Sequence, residues 1–324
     1  AVATRRPNGH FNAMHDSGGA WEGQIDNPAW QARQAFRQKA GLPEVDPPTA
    51  QFFPEAGQAL LRDGWSTDAT YLTFDATRWG RAHCHLSRNA LTLHAQGRSL
   101  LVDPGSLNYE MFNDPGGPYG KSTRAHSTIN FNGWNQAQSN PDETRHFHGE
   151  GLDVVQSRYS AGYWPGPFGW WFFEGRGAGL GAHHERTMCW LHRRAIVVID
   201  TVTRWDEQAH APDEAHLRPD LEVAWQFSPG KLHVEADPLR VVTGHEDANL
   251  LMLMPMAPEG IKPEVYEGQR DPMRGWIVGE QDKTGQYVSA PQLCLACRPF
   301  ADYGATIVTV LKMIVIGFFI LFGL

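Results

Sequence analysis

Between "ATYLTFDA" at 69–76 and "QLCLACR" at 292–298, the chain carries thirteen short runs of β-branched, aromatic and aliphatic residues, separated by Gly, Pro, Asn and Asp. They include "NALTLHAQG", "RSLLVDPG", "STINFNG", "DVVQSRY", "HERTMCWLH", "RAIVVIDTVT", "LEVAWQFSP" and "NLLMLMP". Runs of this length, bounded by breakers, are too short for packed helices and have the residue types that suit a pleated surface. Sequential strands joined by tight turns close more readily into two packed antiparallel sheets than into a parallel sheet, which needs crossover helices. The fold class expected is therefore all-β, a large antiparallel two-sheet β-sandwich. A supply of 33 Gly, 22 Pro and 12 Trp agrees with a turn-rich globular chain.

The first 48 residues differ in character. "NPAWQARQAFRQKAG" reads as a helix, with Asn27 as cap, Pro28 in the first turn and Gly41 as stop. "LPEVDPP" then reads as an extended linker. The expected division is a helical piece and linker over 1–48, the sandwich over 49–311 and an apolar tail over 312–324. Two readings of "ATIVTVLKMIVIGFFILFGL" (305–324) stand side by side. Its length would just span a bilayer as a membrane segment, whereas β-branched "ATIVTVL" suits a last core strand followed by a non-native end. The start has no initiating Met and no apolar secretion signal, so the chain reads as cut at its beginning.

Composition excludes several functions. A net charge of −8, with the 28 Lys and Arg scattered, leaves no basic stripe for nucleic acid. Four cysteines are too few for a disulfide framework, and "CLAC" (294–297) has no second CxxC pair, so it reads as buried strand cysteines. The segment 206–222 sets six acids against Arg218 alone and reads as a solvated loop. The Gly clusters "SGGAWEG" and "GRGAGLG" lack the strand-to-helix setting of a phosphate loop, and no G-x-S-x-G is present.

"RAHCHLSRN" places His83 and His85 one residue apart. If the segment is extended, both imidazoles share a face. "SLLVDPG" is apolar until Asp103, whose strand is stopped by Pro104-Gly105, and His126 in "STRAHSTINFNG" offers a further nitrogen. Two histidines and a carboxylate are a usual zinc donor set. Histidines bonded to loop backbone are the alternative that spacing leaves open.

The stretch "FFPEAGQALLRDGW…DATYLTFDA…HCHLSRNALTLHAQGRSLLVDPG…STRAHSTINFNG" resembles the heparinase II/III-like polysaccharide lyases. Their sandwich half carries an HxH, a "LLVDPG" strand end and an R-x-H-[NS]-T element, and here the three occur in that order. The likeness is clearest over 52–133. It implies an α/α toroid preceding the sandwich, of which 1–48 would be the last piece. It implies a structural divalent metal, zinc by donor type, on His85, Asp103 and His126, with His83 facing a uronate sugar in the cleft. The implied reaction is β-elimination at C4 of a uronic-acid-containing polysaccharide, such as a glycosaminoglycan or alginate. The C5 proton becomes removable once the neighbouring carboxylate is neutralised. Periplasm or cell envelope is the expected location.

Family members follow HxH with a small residue and Asp, whereas this chain has "HCHLSRN", so a partner carboxylate of the site is missing at Ser87. The principal catalytic Tyr and an Asn or His come from the toroid in that family, so this chain is expected to lack part of the active site. Arg124 could pair with a sugar carboxylate through its planar fork, or be structural. Tyr109 could reach the cleft, or pack in its loop. Trp164, Trp170 and Trp171 could stack on sugars or fill the core. His146 and His148 read as surface residues, and His183 and His184 as structural. Two rival functions remain: a non-catalytic carbohydrate-binding sandwich, and a metal-dependent hydrolase.

Overall fold

The computed structural model describes residues 6, 35–42, 48–80, 83–110, 112–165, 181–204, 220–246, 248–257, 259–278, 287–297 and 304–314. Each of the thirteen runs contains a strand. A five-stranded antiparallel sheet comes first: β1 (Ala50–Phe53), β2 (Gln58–Arg62), β3 (Tyr71–Asp75), β4 (Ala90–Ala95) and β5 (Arg98–Leu101), paired in chain order. After a short helix α1 (Gly116–Lys121) come β6 (Ile129–Phe131), β7 (Asn135–Gln136), β8 (Glu143–Gly149), β9 (Leu152–Tyr159) and β10 (Tyr163–Trp164). The chain continues through β11 (Ala182–Leu191), β12 (Ala195–Arg204), β13 (Leu221–Gln226), β14 (Leu232–Ala236), β15 (Leu239–Thr243) and β16 (Asn249–Met256). It ends with β17 (Lys262–Tyr266), four short strands between residues 269 and 289, and the strands Gln292–Cys297 and Gly304–Ile314.

An eight-stranded sheet forms one layer, in the order β14, β15, β16, Gly304–Ile314, β12, β11, β9, β8. The opposing layer is composite. The five-stranded sheet meets a four-stranded one (β17, Gln292–Cys297, β13, β6) through the Leu101–Phe227 bridge and a 2.9 Å bond from the Val102 amide to the Gln226 carbonyl. One core cluster draws on all three sheets, with Leu72 and Leu93, Val223 and Leu295, and Met188, Trp190 and Ile307 among its members. The two-sheet sandwich is thus the observed architecture.

Alternation explains which side chains enter that core. On β11, Ala182, His184, Arg186, Met188 and Trp190 are buried while His183, Glu185, Thr187 and Cys189 are not. Two of the inward positions are polar. Arg186 lies opposite Asp200 of β12, and both are fully buried. The guanidinium grips the carboxylate through both oxygens, Nε to Oδ1 at 2.6 Å and Nη2 to Oδ2 at 3.0 Å. His184 Nε2 adds a bond to Oδ1 at 2.7 Å. The structural role read for His184 is the one it has here.

The ends of the chain refine the sequence-based boundaries. Residues 35–39 are helical, and Gly41 (φ 65°) ends that helix as expected: the Leu42 amide reaches the Arg37 carbonyl and the Gly41 amide reaches Gln38. Asn27 and Pro28 lie outside the described residues, as do Trp170, Trp171 and Arg218. The tail boundary at 312 is corrected. Residues 304–314 form an interior strand between β12 and β16, with Ile307 and Leu311 buried and Lys312 exposed, so residues 305–314 are not part of a membrane-crossing helix. Strand pairing satisfies this backbone, and alternation gives the apolar run an inner face. No helix among the described residues is long and apolar enough to cross a membrane. "CLAC" lies within a strand, with Cys294 and Cys297 both buried and the Cys294 sulfur accepting from Arg274 Nη1 at 3.0 Å.

Asp200 supplies a pH signature. Burial alone would raise its pKa, but the Arg186 charge and the His184 bond hold it down at about 2. A carboxyl lowered in the folded state contributes stability above its unfolded pKa of ~3.9 and loses it as pH falls through the folded value. Asp200→Asn leaves Arg186 buried without its counter-charge and should cost ~3–5 kcal/mol near neutral pH. That gap, measured by urea denaturation, should narrow between about pH 4 and pH 2.

Candidate metal centre

Three connecting segments meet where β5 leaves its sheet and the two parts of the composite layer join. His85 lies on the link from β3 to β4. Asp103 follows β5, and its Oδ1 accepts the Gly105 amide at 2.9 Å, closing the turn through Pro104. His126 caps the 3₁₀ turn Thr123–Ala125 that precedes β6. One ligand atom from each of the three lies within 4.8 Å of the others, and all three residues are buried. His85 Nδ1 is 3.2 Å from His126 Nε2, which lies 3.5 Å from Asp103 Oδ2.

Two of the donor spacings and the orientation of His126 suit a divalent cation. Neighbouring donors in a tetrahedron with bonds of ~2.0–2.1 Å are ~3.3 Å apart, close to the two spacings observed. His126 Nδ1 donates to the Ser122 carbonyl at 2.8 Å, so Nε2 carries the lone pair and turns it toward His85 and Asp103. The Asp103 carboxyl is pushed well above the usual carboxylate range, chiefly by burial and further by Asp75, while the Gly105 amide opposes the rise. A cation at the lone pairs would offset the cost of burying that charge. Two neutral imidazoles and a carboxylate suit zinc better than calcium or magnesium, which favour all-oxygen shells.

The rest of the sequence-derived set is placed differently. The inference that His83 and His85 share a strand face is corrected: residues 83–89 form no strand and end in a turn at Arg88–Asn89, with His83 exposed and His85 fully buried. The two-residue rule needs extended backbone. Here the Leu86 amide bonds to the Lys121 carbonyl, and Asn89 at φ 65° turns the chain into β4. Arg124 gives both Nε and Nη2 to the Gly133 carbonyl, and Gly133 sits at φ 66° with no room for a Cβ beside that guanidinium. Burial lowers the Arg124 pKa, with Arg274 adding to the shift. Tyr109 is 59% exposed, its ring 6.0 Å from the Lys121 ammonium. His146 and His148 are exposed on edge strand β8, where His146 stacks on Phe52 and His148 bonds to Asp153.

Sequence reasoning missed the carboxylate that stands behind the centre. Ser87, where the resemblance expects Asp, donates its hydroxyl to Asp75 Oδ2 at 2.6 Å. An acid therefore does approach, from β3 and through a serine. Asp75 ends the apolar run "YLTFD" much as Asp103 ends "SLLVD", and that parallel is the signal that could have found it.

Residues 45–301 match the family model described as heparinase II/III-like, C-terminal. The chain belongs to that family. A heparan sulfate lyase HepC from Pedobacter heparinus, in a mutant form, is similar over 97% of this chain and 45% of its own, with 16% identity and a TM-score of 0.75. The heparinase III BT4657 gene product is similar over the same shares of the two chains, with 13% identity and a TM-score of 0.73. This chain thus spans less than half the length of these lyases. No curated protein matches it.

Asp103→Asn keeps the side chain's shape and removes the charge. If a divalent ion occupies the site, the variant should carry less of it than the wild type, and a chelator should lower the Tm of the wild type only. Elemental analysis and paired melting curves check both outcomes.

Proposed function

We propose that this chain is the sandwich part of a polysaccharide lyase that cleaves a uronic-acid-containing polysaccharide by β-elimination. A structural divalent metal, zinc by donor type, would sit on His85, Asp103 and His126. The observation that supports this most is the buried convergence of these three residues inside a region that matches the family. The solved lyases that the chain resembles carry heparan sulfate in one name, which makes a glycosaminoglycan the first substrate class to test.

In this reading the metal supplies fixed positive charge that ties three loops together, and its ligands do no proton transfer. His126 is fixed through Ser122, and His85 through the turn that follows it. His83, exposed two residues before His85, faces the uronate, where its imidazole neutralises charge or carries a proton. Tyr109 is exposed on the loop that starts at Asp103, and in this reading its phenol exchanges a proton with the sugar ring. Arg124 holds the Gly133 turn and offers its planar charge to a sugar carboxylate.

The reaction has a direct signature. Removing the C5 proton and expelling the C4 oxygen leaves a C4–C5 double bond conjugated to the carboxylate, which absorbs in the ultraviolet. The intact protein that carries this chain, given heparan sulfate, hyaluronan and alginate, should raise that absorbance with at least one of them. His83→Ala should lower the rate by ~10²–10⁴-fold with metal content unchanged. Reducing ends released without the chromophore would indicate hydrolysis and contradict the proposal, and binding without cleavage would make the sandwich a carbohydrate-binding module.

A further inference from the structure

The two histidine-bearing segments are held by one side chain from the opposite layer. Besides gripping Asp200, Arg186 uses Nη1 to donate to the Ser127 carbonyl at 2.6 Å and to the Asn89 carbonyl at 2.8 Å. Ser127 directly follows His126, and Asn89 lies four residues after His85, in the turn that leads into β4. Arg186 is fully buried, so these bonds lie away from water, where a lost partner is costly.

The same two segments are tied to each other. The Arg88 carbonyl accepts from Thr128 Oγ1 at 2.8 Å and from Gln136 Nε2 at 2.9 Å, and the Arg88 amide donates to Gln136 Oε1 at 2.7 Å. Arg88 Nη1 reaches back to the His85 carbonyl at 3.4 Å. Asn89 Nδ2 donates to the carbonyls of His184 and Ser157 at 3.2 and 3.3 Å. A bonded path therefore runs from the Asp200 carboxylate through a single guanidinium to the backbone on which both imidazoles sit.

We propose that Arg186, held by Asp200, is the positioning residue of the metal centre: it sets the spacing of His85 and His126 from across the sandwich. This rests on the metal reading given above. The placement gives the buried pair a task that an apolar pair could not perform. A guanidinium can hold a carboxylate with one edge and two carbonyls with the remaining nitrogen, because its donors diverge in a rigid fork. A lysine ammonium has its donors on a single atom and cannot span all three acceptors. Two methylene-rich side chains would fill the space and hold neither loop.

The experiment compares zinc affinity across four folded proteins, by competition with a chromophoric chelator: wild type, Arg186→Lys, the double variant Arg186→Met with Asp200→Leu, and Leu250→Ala. Arg186→Lys keeps a charge for Asp200. The double variant removes both charges, so no unpaired ion stays in the core. Leu250, fully buried on β16, provides a stability loss away from the site. Both Arg186 variants should bind zinc ~10–100-fold more weakly than wild type, the range seen when support behind metal ligands is removed. Leu250→Ala should leave affinity unchanged despite its lower Tm. If Arg186→Lys does not fold, the double variant decides. Wild-type binding with unchanged affinity in the Arg186 variants would overturn this inference alone, as would an equal loss in Leu250→Ala. A wild-type chain that takes up no zinc would overturn the metal reading and this inference with it.

Discussion

The Asp103 carboxylate, buried at the joint of two sheets, is the constraint around which this end of the sandwich is arranged. Its cost in a dry pocket is met partly by the Gly105 amide, and the remaining oxygen faces His126. Both imidazoles turn nitrogen toward the same point, and His126 does so with its other nitrogen already committed to Ser122. Three loops that share no hydrogen-bonded strand pairing therefore meet over a few ångströms. Polar groups so placed are stabilised by a shared cation or destabilise the fold.

The buried Arg186–Asp200 pair belongs to the same arrangement. Apart from these two residues and His184, strands β11 and β12 are an ordinary alternation with apolar residues facing the core. The two charged positions lie opposite each other, so their mutual attraction offsets part of the desolvation each suffers. Their position in the register also brings Arg186 under the Asn89 and Ser127 carbonyls. Sheet pairing and loop placement are in this way linked through one fully buried side chain.

Much of this was legible in the residues. Short runs of β-branched, aromatic and aliphatic residues between Gly, Pro, Asn and Asp marked thirteen of the strands, because those residue types suit a pleated surface. Asp103 could be found because a charged residue ends an apolar run just before Pro-Gly. His85 was singled out for a partly mistaken reason: its segment is not a strand, and the strand face it was to share with His83 does not exist. Turn conformation there depends on Lys121 and on the positive φ of Asn89, neither of which leaves a periodic trace. Strand β8 was read only as surface histidines, since an edge strand exposed along nearly its whole length shows no alternation of hydrophobicity. The Arg186 bonds to Asn89 and Ser127 span 97 and 59 positions and end on backbone oxygen, which no residue type reports. At 13–16% identity to these solved lyases, a TM-score of 0.73–0.75 is reached with few identical side chains.

Anomalous diffraction from crystals of the protein, recorded on either side of the zinc absorption edge, tests the central claim most directly. The account predicts a peak at bonding distance from His85 Nδ1, His126 Nε2 and an Asp103 oxygen together. A map without such a peak, in which His85 and His126 hydrogen-bond to each other and Asp103 carries a proton, would contradict it.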